Sequence, residues 1–154
     1  MSGQVAIRNE IYTIFGKPGA GKTFFATYMA SFHRRIYANY EIRRHGKLVN
    51  NMIRTIDDVE RVPFSLEKGI VIIDEGGINA NARRSSSDAN MEFGRLAMLG
   101  RKKNVNIVMI SQLERMSDVY FRELSGCTFT LHSWFEQGGR LMFETDVTKN
   151  GKVV

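Results

Sequence analysis

The chain predicts an α/β protein: a mostly parallel sheet with helices on both faces and a C-terminal antiparallel hairpin. Three observations carry that expectation. Short β-branched runs at 11–15, 70–73 and 106–111 alternate with segments of helical spacing. Glycine-rich or polar turns separate them. Two late runs, 128–135 and 140–145, are joined by Glu136-Gln137-Gly138-Gly139 and read as a hairpin edge.

Ile11-Tyr12-Thr13-Ile14-Phe15 is a buried strand that stops at the run Gly16-Lys17-Pro18-Gly19-Ala20-Gly21. From Lys22 to Arg35 there is no Gly or Pro, and Phe24, Phe25, Tyr28, Met29 and Phe32 recur at helical spacing, so a helix follows the loop. A second strand is expected over 35–42. A short helix is expected over 55–62, with Thr55 as cap and Asp57 and Asp58 in its first turn. Residues 69–74 form the next buried strand. Ser85-Ser86-Ser87-Asp88 supplies a loop and a cap for a helix to about Lys103, whose basic end suits a helix C-terminus. Asn106–Ser111 is another strand, Ser117 caps a helix through Leu124, and Asn150-Gly151 makes a last turn. With no repeat, low-complexity tract or Pro-rich linker, residues 1–154 read as one domain.

Composition supports a folded chain, since 43% of residues are apolar and 25% charged, enough for a core. The formal charge of +6 favours polyanionic partners. The longest apolar stretches, 70–73 and 105–110, fall far short of the roughly 18 to 20 residues of a bilayer span, so no membrane segment is expected. The first ten residues lack the layout of a secretory signal, so the chain is expected to stay inside its cell. Cys127 stands alone, so no intramolecular disulfide or cysteine-based metal site is available, and a small buried hydrophobe is expected. His33, His45 and His132 show no metal-ligand spacing. Methionines such as Met29, Met91, Met98, Met109, Met116 and Met142 are expected to fill core gaps. Trp134 is expected in the core or at a subunit interface.

Gly16-Lys17-Pro18-Gly19-Ala20-Gly21-Lys22-Thr23 fits the phosphate-loop pattern G-x-x-x-x-G-K-[ST] in full, between a strand and a helix. Glycines let backbone N–H groups turn inward around a β-phosphate, and the helix adds its positive end. Lys22 reaches the β and γ oxygens and Thr23 can ligate Mg²⁺. A chance match in a chain this long is on the order of one in a hundred or less. Ile70-Val71-Ile72-Ile73 ends in Asp74-Glu75, where an open parallel sheet places its crevice. Asp74 would hold Mg²⁺, and Glu75 would orient or deprotonate the water attacking the γ-phosphate of ATP. Ser111 and Gln112 end the strand 106–111 at the same edge. Gln112 is either a γ-phosphate sensor or an ordinary polar strand terminus.

The order phosphate loop, helix, Tyr37-Ala38-Asn39-Tyr40, Ile72-Ile73-Asp74-Glu75, then Arg101-Lys102-Lys103-Asn104-Val105-Asn106-Ile107-Val108-Met109-Ile110-Ser111-Gln112 resembles the HerA/FtsK superfamily of P-loop ATPases. Within it the chain looks most like the compact genome-packaging ATPases of DNA viruses, and like the ATPase portion of the zonula occludens toxin family. The resemblance implies a P-loop NTPase (RecA/ASCE-like) fold and a ring-shaped DNA motor. By motif, residues 16–23 correspond to Walker A, Asp74 and Glu75 to Walker B, and Gln112 to the glutamine ending the sensor strand. The toxin-like relatives carry a membrane-spanning segment and the cellular translocases extra domains, neither of which is seen here. No trans-acting arginine can be placed by motif.

Basic residues cluster as Arg34-Arg35, Arg43-Arg44-His45-Gly46-Lys47, Arg83-Arg84 and Arg101-Lys102-Lys103. Arg83, Arg84, Arg43 and Arg44 are candidate contacts to DNA phosphates, independent of base sequence. For Arg34-Arg35 and Lys102-Lys103, pairing with a helix C-terminal dipole is the alternative. The expected function is an ATP-hydrolysing DNA translocase of the viral packaging type, acting as a homo-oligomeric ring that can meet capsid or portal-like components. Two rivals stand beside it: a nucleotide-gated assembly protein, and a small P-loop kinase.

Overall fold

The computed structural model describes residues 10–74, 86–112, 125–149 and 152–154. Its main sheet is built from β1 (Ile11–Gly16), β2 (Ile36–Ala38), β5 (Asn51–Met52), β6 (Gly69–Asp74), β7 (Val105–Gln112), β8 (Cys127–Gln137), β9 (Arg140–Lys149) and β10 (Lys152–Val153). The order across the sheet is β10-β9-β8-β1-β7-β6-β2-β5. Every pair from β8 to β5 is parallel, and the β8–β9 and β9–β10 pairs are antiparallel. A small ribbon of β3 (Arg43–Arg44) and β4 (Lys47–Leu48) stands apart. The helices are α1 (Lys22–Ala30), α2 (Ile56–Glu60) and α3 (Ser86–Lys103). The α/β class, the parallel centre and the antiparallel edge are all as expected.

The central strands are apolar on both faces because both faces are covered. In β6, Ile70 and Ile72 point to one core, which holds Ala26 and Ala30 of α1, while Val71 and Ile73 point to the other, which holds Leu96 and Leu99 of α3 and Val59 of α2. β7 divides likewise, with Val108 and Ile110 toward α1, and Val105, Ile107 and Met109 toward α3. Each buried Ile or Val contributes about 1.5–3 kcal/mol of transfer free energy, so the strand register is held from both sides.

Several elements differ from expectation. α1 ends at Ala30 instead of reaching Arg35. The Ser31 hydroxyl donates to Tyr28 O at 2.6 Å, and the amides of Ser31, Phe32 and His33 take up the last carbonyls. The chain is then free to enter β2 at Ile36, and that strand stops at Ala38 instead of Ile42. Arg34 and Arg35 therefore lie beyond any helix end. Arg35 donates to the carbonyls of Glu67 and Pro63, and Arg34 pairs with Glu67 at 3.5 Å.

Thr55 does precede α2, where the Asp58 carboxylate accepts the amides of Arg54 and Thr55 at 2.7 and 3.0 Å. Those amides, first of all, hold Asp58 below the usual carboxylate range. The hairpin strands run further than expected and meet at a two-residue turn, Gly138-Gly139, with φ of 60° and 73°. Met91, Met98 and Met142 are exposed, not core. Cys127 is buried as expected. The predicted helix 117–124, Met116 and the turn at Asn150-Gly151 lie outside the described residues. Among the described residues, no helix is long and apolar enough to cross a membrane.

Candidate functional site

In a parallel sheet the C-terminal strand ends share one edge, and here four neighbouring strands bring chemistry to it. Gly16 ends β1, Gln112 ends β7 directly opposite Gly16, Asp74 ends β6, and Asn39 follows β2. The loop 17–21 rises from this edge, exposed at Lys17, Pro18 and Gly19, and is anchored by buried Ala20. Gly16 is required because a Cβ there would lie 2.6 Å from Leu131 O of β8. Gly21 sits immediately before α1 with φ 88°, in the left-handed region that glycine tolerates.

The Lys22 ammonium arches back over the loop, donating to Gly16 O at 2.8 Å and Lys17 O at 2.9 Å. Burial lowers its pKa from the ordinary lysine value, and Asp74 works in the opposite direction. The Thr23 hydroxyl donates to Asp74 Oδ2 at 2.8 Å, joining the start of α1 to the end of β6. These two oxygen ligands, one hydroxyl and one carboxylate at an open crevice beside the phosphate loop, suit Mg²⁺, a hard cation that uses one or two carboxylates plus substrate phosphates and water. Among the described residues there is no group of three or more His, Cys, Asp or Glu that would form an all-protein metal cage.

Two further supports emerge only in three dimensions. The Asn39 carboxamide accepts the Asp74 N–H at 2.8 Å and donates to the Asp74 carbonyl at 2.7 Å, clamping that backbone from both sides. Thr27 Oγ1 donates to Thr23 O at 2.8 Å, which leaves it to accept the Tyr40 hydroxyl at 3.0 Å. Burial, more than any other cause, raises the Tyr40 pKa, so the phenol stays a donor. In the sequence, Asn39 and Tyr40 stand out only as part of the resemblance, with no role of their own. A polar residue directly after a short buried strand was the available signal.

The structure thus brings together Gly16, Lys22, Thr23 and Asp74, with Gln112 beside Gly16 in the ladder. Glu75, Arg83 and Arg84 lie outside the described residues. Arg43 and Arg44 are not at this crevice. Arg43 is paired with Glu41 at 2.8 Å, and Arg44 donates to Ser31 O at the far end of α1, about 13 Å along the helix from the loop. Arg34, Arg44 and His33 line a cleft there with Phe32 and Val49.

A mostly parallel sheet covered by helices, with a phosphate loop at its C-terminal edge, defines the P-loop NTPase fold of the RecA-like type. Solved structures agree. The chain is similar to the N-terminal domain of zonular occludens toxin from Neisseria meningitidis, at 18% identity and TM-score 0.53, over 92% of this chain and 84% of that one. It is similar to a KaiC-like protein from Pyrococcus horikoshii OT3, at 13% identity and TM-score 0.60, over 95% and 81%. It is also similar to a DnaB-like replicative helicase, at 11% identity and TM-score 0.60, over 96% of this chain but 57% of that one. At these identities the likeness is one of fold. No family model matches the chain, and no curated protein does.

Proposed function

We propose that the chain hydrolyses ATP with Mg²⁺ and uses the turnover to move DNA, as one subunit of a homo-oligomeric ring of the HerA/FtsK genome-packaging type. The observation that carries the hydrolytic part is the 2.8 Å contact between Thr23 and Asp74, groups from two distant segments meeting beside Lys22. Bound Mg²⁺ would neutralise charge on the β- and γ-phosphates. Thr23 and Asp74 would hold that ion, and the backbone N–H groups of residues 19–22 would orient the phosphates. Lys22 would leave its carbonyl partners for phosphate oxygens, exchanging neutral acceptors for charged ones. Glu75, next after Asp74, would orient or deprotonate the attacking water, and Gln112 would sense the γ-phosphate from the end of β7.

DNA as partner is supported by the charge of +6, by the basic clusters at Arg43-Arg44 and Arg83-Arg84, and by the likeness to a replicative helicase. A second reading, a nucleotide-gated assembly protein that scaffolds morphogenesis without moving DNA, is favoured by the likeness to the toxin domain. Turnover separates the two. ATPase rate measured with and without duplex DNA across a salt series should rise with DNA and lose that stimulation as salt increases. Lys22→Ala should lower turnover by about 10²–10³-fold, and Glu75→Gln should bind ATP without cleaving it. Turnover indifferent to DNA at every salt concentration supports the assembly reading, and normal hydrolysis by the Glu75→Gln chain removes the assigned base.

A further inference from the structure

We propose that Trp134 and Phe24 form an aromatic platform on which the base of a phosphate-loop-bound nucleotide stacks. The inference rests on the nucleotide reading above and adds the part of the ligand that the loop itself does not recognise.

Strand length places the platform. β8 lies parallel to β1 with Leu131 opposite Gly16, but β1 ends there while β8 continues to Gln137. The hairpin therefore overhangs the edge from which the phosphate loop rises. An irregularity in the β8–β9 ladder between Leu131 and Ser133 then decides which face Trp134 occupies. One extra residue inverts the alternation, so Trp134 shares the α1 side with Leu131 and Phe129. In a regular strand Ser133 would take that position, and the indole would point to the opposite face.

The indole lies against Gly21: a Cβ added there would meet Trp134 Cδ1 at 2.7 Å and Cγ at 3.1 Å. It is thus one residue from the phosphate-binding Lys22. Phe24, one turn into α1, stands 5.5 Å from it at a 54° tilt. Neither ring is used up by packing, since Trp134 is 46% exposed and Phe24 44%. In a nucleotide the base follows the phosphates by one ribose, so a ligand anchored on loop amides has its base at the rim where these rings are open. An aromatic face recognises the π-surface of any base and reads no hydrogen-bonding edge. Adenine and guanine should therefore be accepted nearly equally.

Trp134 is the one tryptophan in the chain, so its fluorescence reports on this site alone. Wild-type protein with Mg²⁺ is titrated with ATP, GTP and inorganic tripolyphosphate, with binding also followed by calorimetry. ATP and GTP should both quench the indole, and tripolyphosphate should bind with little quenching. Trp134→Leu, which keeps apolar bulk against Gly21, should bind ATP about 5- to 100-fold more weakly while its tripolyphosphate affinity is unchanged. Trp134→Phe should recover most of the loss. Equal weakening toward ATP and tripolyphosphate would mean that the ring only supports the loop, and ATP affinity unchanged in Trp134→Leu would mean that it does nothing; either overturns the platform while leaving the phosphate site standing. Wild-type protein that binds neither ATP nor tripolyphosphate refutes both.

Discussion

Asn39 offers the most direct test of how the Asp74 carboxylate is positioned. Its carboxamide makes two hydrogen bonds, of 2.7 and 2.8 Å, to the backbone of Asp74, thirty-five residues away. Asn39→Ala removes both and leaves a partly buried N–H and C=O to find water. A neutral hydrogen bond contributes about 0.5–1.5 kcal/mol, and an orphaned buried partner costs about 1–3 kcal/mol. The crevice is open on one side, so the low end applies to each group and the expected loss is about 2 kcal/mol. For a chain of this size that is a fall in melting temperature of about 4–8 °C. Function should suffer in a particular way. The Asp74 carboxylate loses its fixed direction, so nucleotide affinity in the presence of Mg²⁺ should fall while affinity in its absence changes little. Asn39→Asp keeps the shape and the acceptor for Asp74 N–H but turns a carboxylate toward the Asp74 carbonyl, and should be worse than Ala. Thermal melts followed by circular dichroism, with calorimetric nucleotide titrations at two Mg²⁺ concentrations, read out both effects. An Asn39→Ala chain with unchanged melting temperature and unchanged Mg²⁺ dependence would refute the clamp.

Two other perturbations have signs fixed by geometry. His33 is pulled below the ordinary imidazole value by burial first, with Lys68 adding to that and the Met29 carbonyl opposing it. Its Nδ1 faces Met29 O at 3.1 Å and its Nε2 faces the Asn106 amide at 3.3 Å, so the neutral ring fits. The unfolded chain therefore takes up this proton first. Stability should be intact above the ordinary value of 6.5 and decline as the pH falls through it. Melting temperatures from pH 8 to 5 should fall less steeply in His33→Gln, and identical slopes would count against the assignment. Gly21→Ala combines a left-handed backbone, costing about 1–2 kcal/mol, with a Cβ 2.7 Å from the Trp134 ring. In a Trp134→Ala background only the backbone cost should remain, and equal costs in both backgrounds, measured by urea titration, would show that the contact is not strained.

The contiguous parts of the site were legible in the sequence. A phosphate loop needs its glycines, lysine and threonine at fixed spacing because one turn of backbone does the work, and the neighbouring strand and helix carry their own signals. β6 was equally plain, since a strand covered on both faces must be apolar at every position. Side chains whose partners are distant backbone atoms were not legible. Asn39 clamps a peptide group that any residue at position 74 would present. Trp134 reaches the phosphate loop only because of an irregularity in β8, which leaves no mark in composition or alternation. Helical spacing through Phe32 overran α1, because the termination at Ala30 depends on the Ser31 hydroxyl and on where β2 joins the sheet. The same spacing overstated burial: Phe24, Tyr28 and Phe32 are exposed, and Ala26 and Ala30 make the contact with the sheet.

Stability and site geometry are therefore coupled through strand register. Asp74 lies opposite Ile110 of β7, and Gly16 opposite Gln112, in the two parallel ladders that share β7. Sliding β6 by one residue would move Asp74 away from Thr23, and in the same step would exchange Val71 and Ile73 with Ile70 and Ile72 between the two cores. Because helices cover both faces, each set would enter a core packed around the other, and that mismatch on both sides holds the carboxylate in place before any ligand arrives. Asn39 and Tyr40 then refine a position that the core has already chosen. A large-to-small change at Ile72, buried in the core two residues before Asp74, should for this reason weaken the packing of α1 against β6 and loosen the Thr23–Asp74 contact with it.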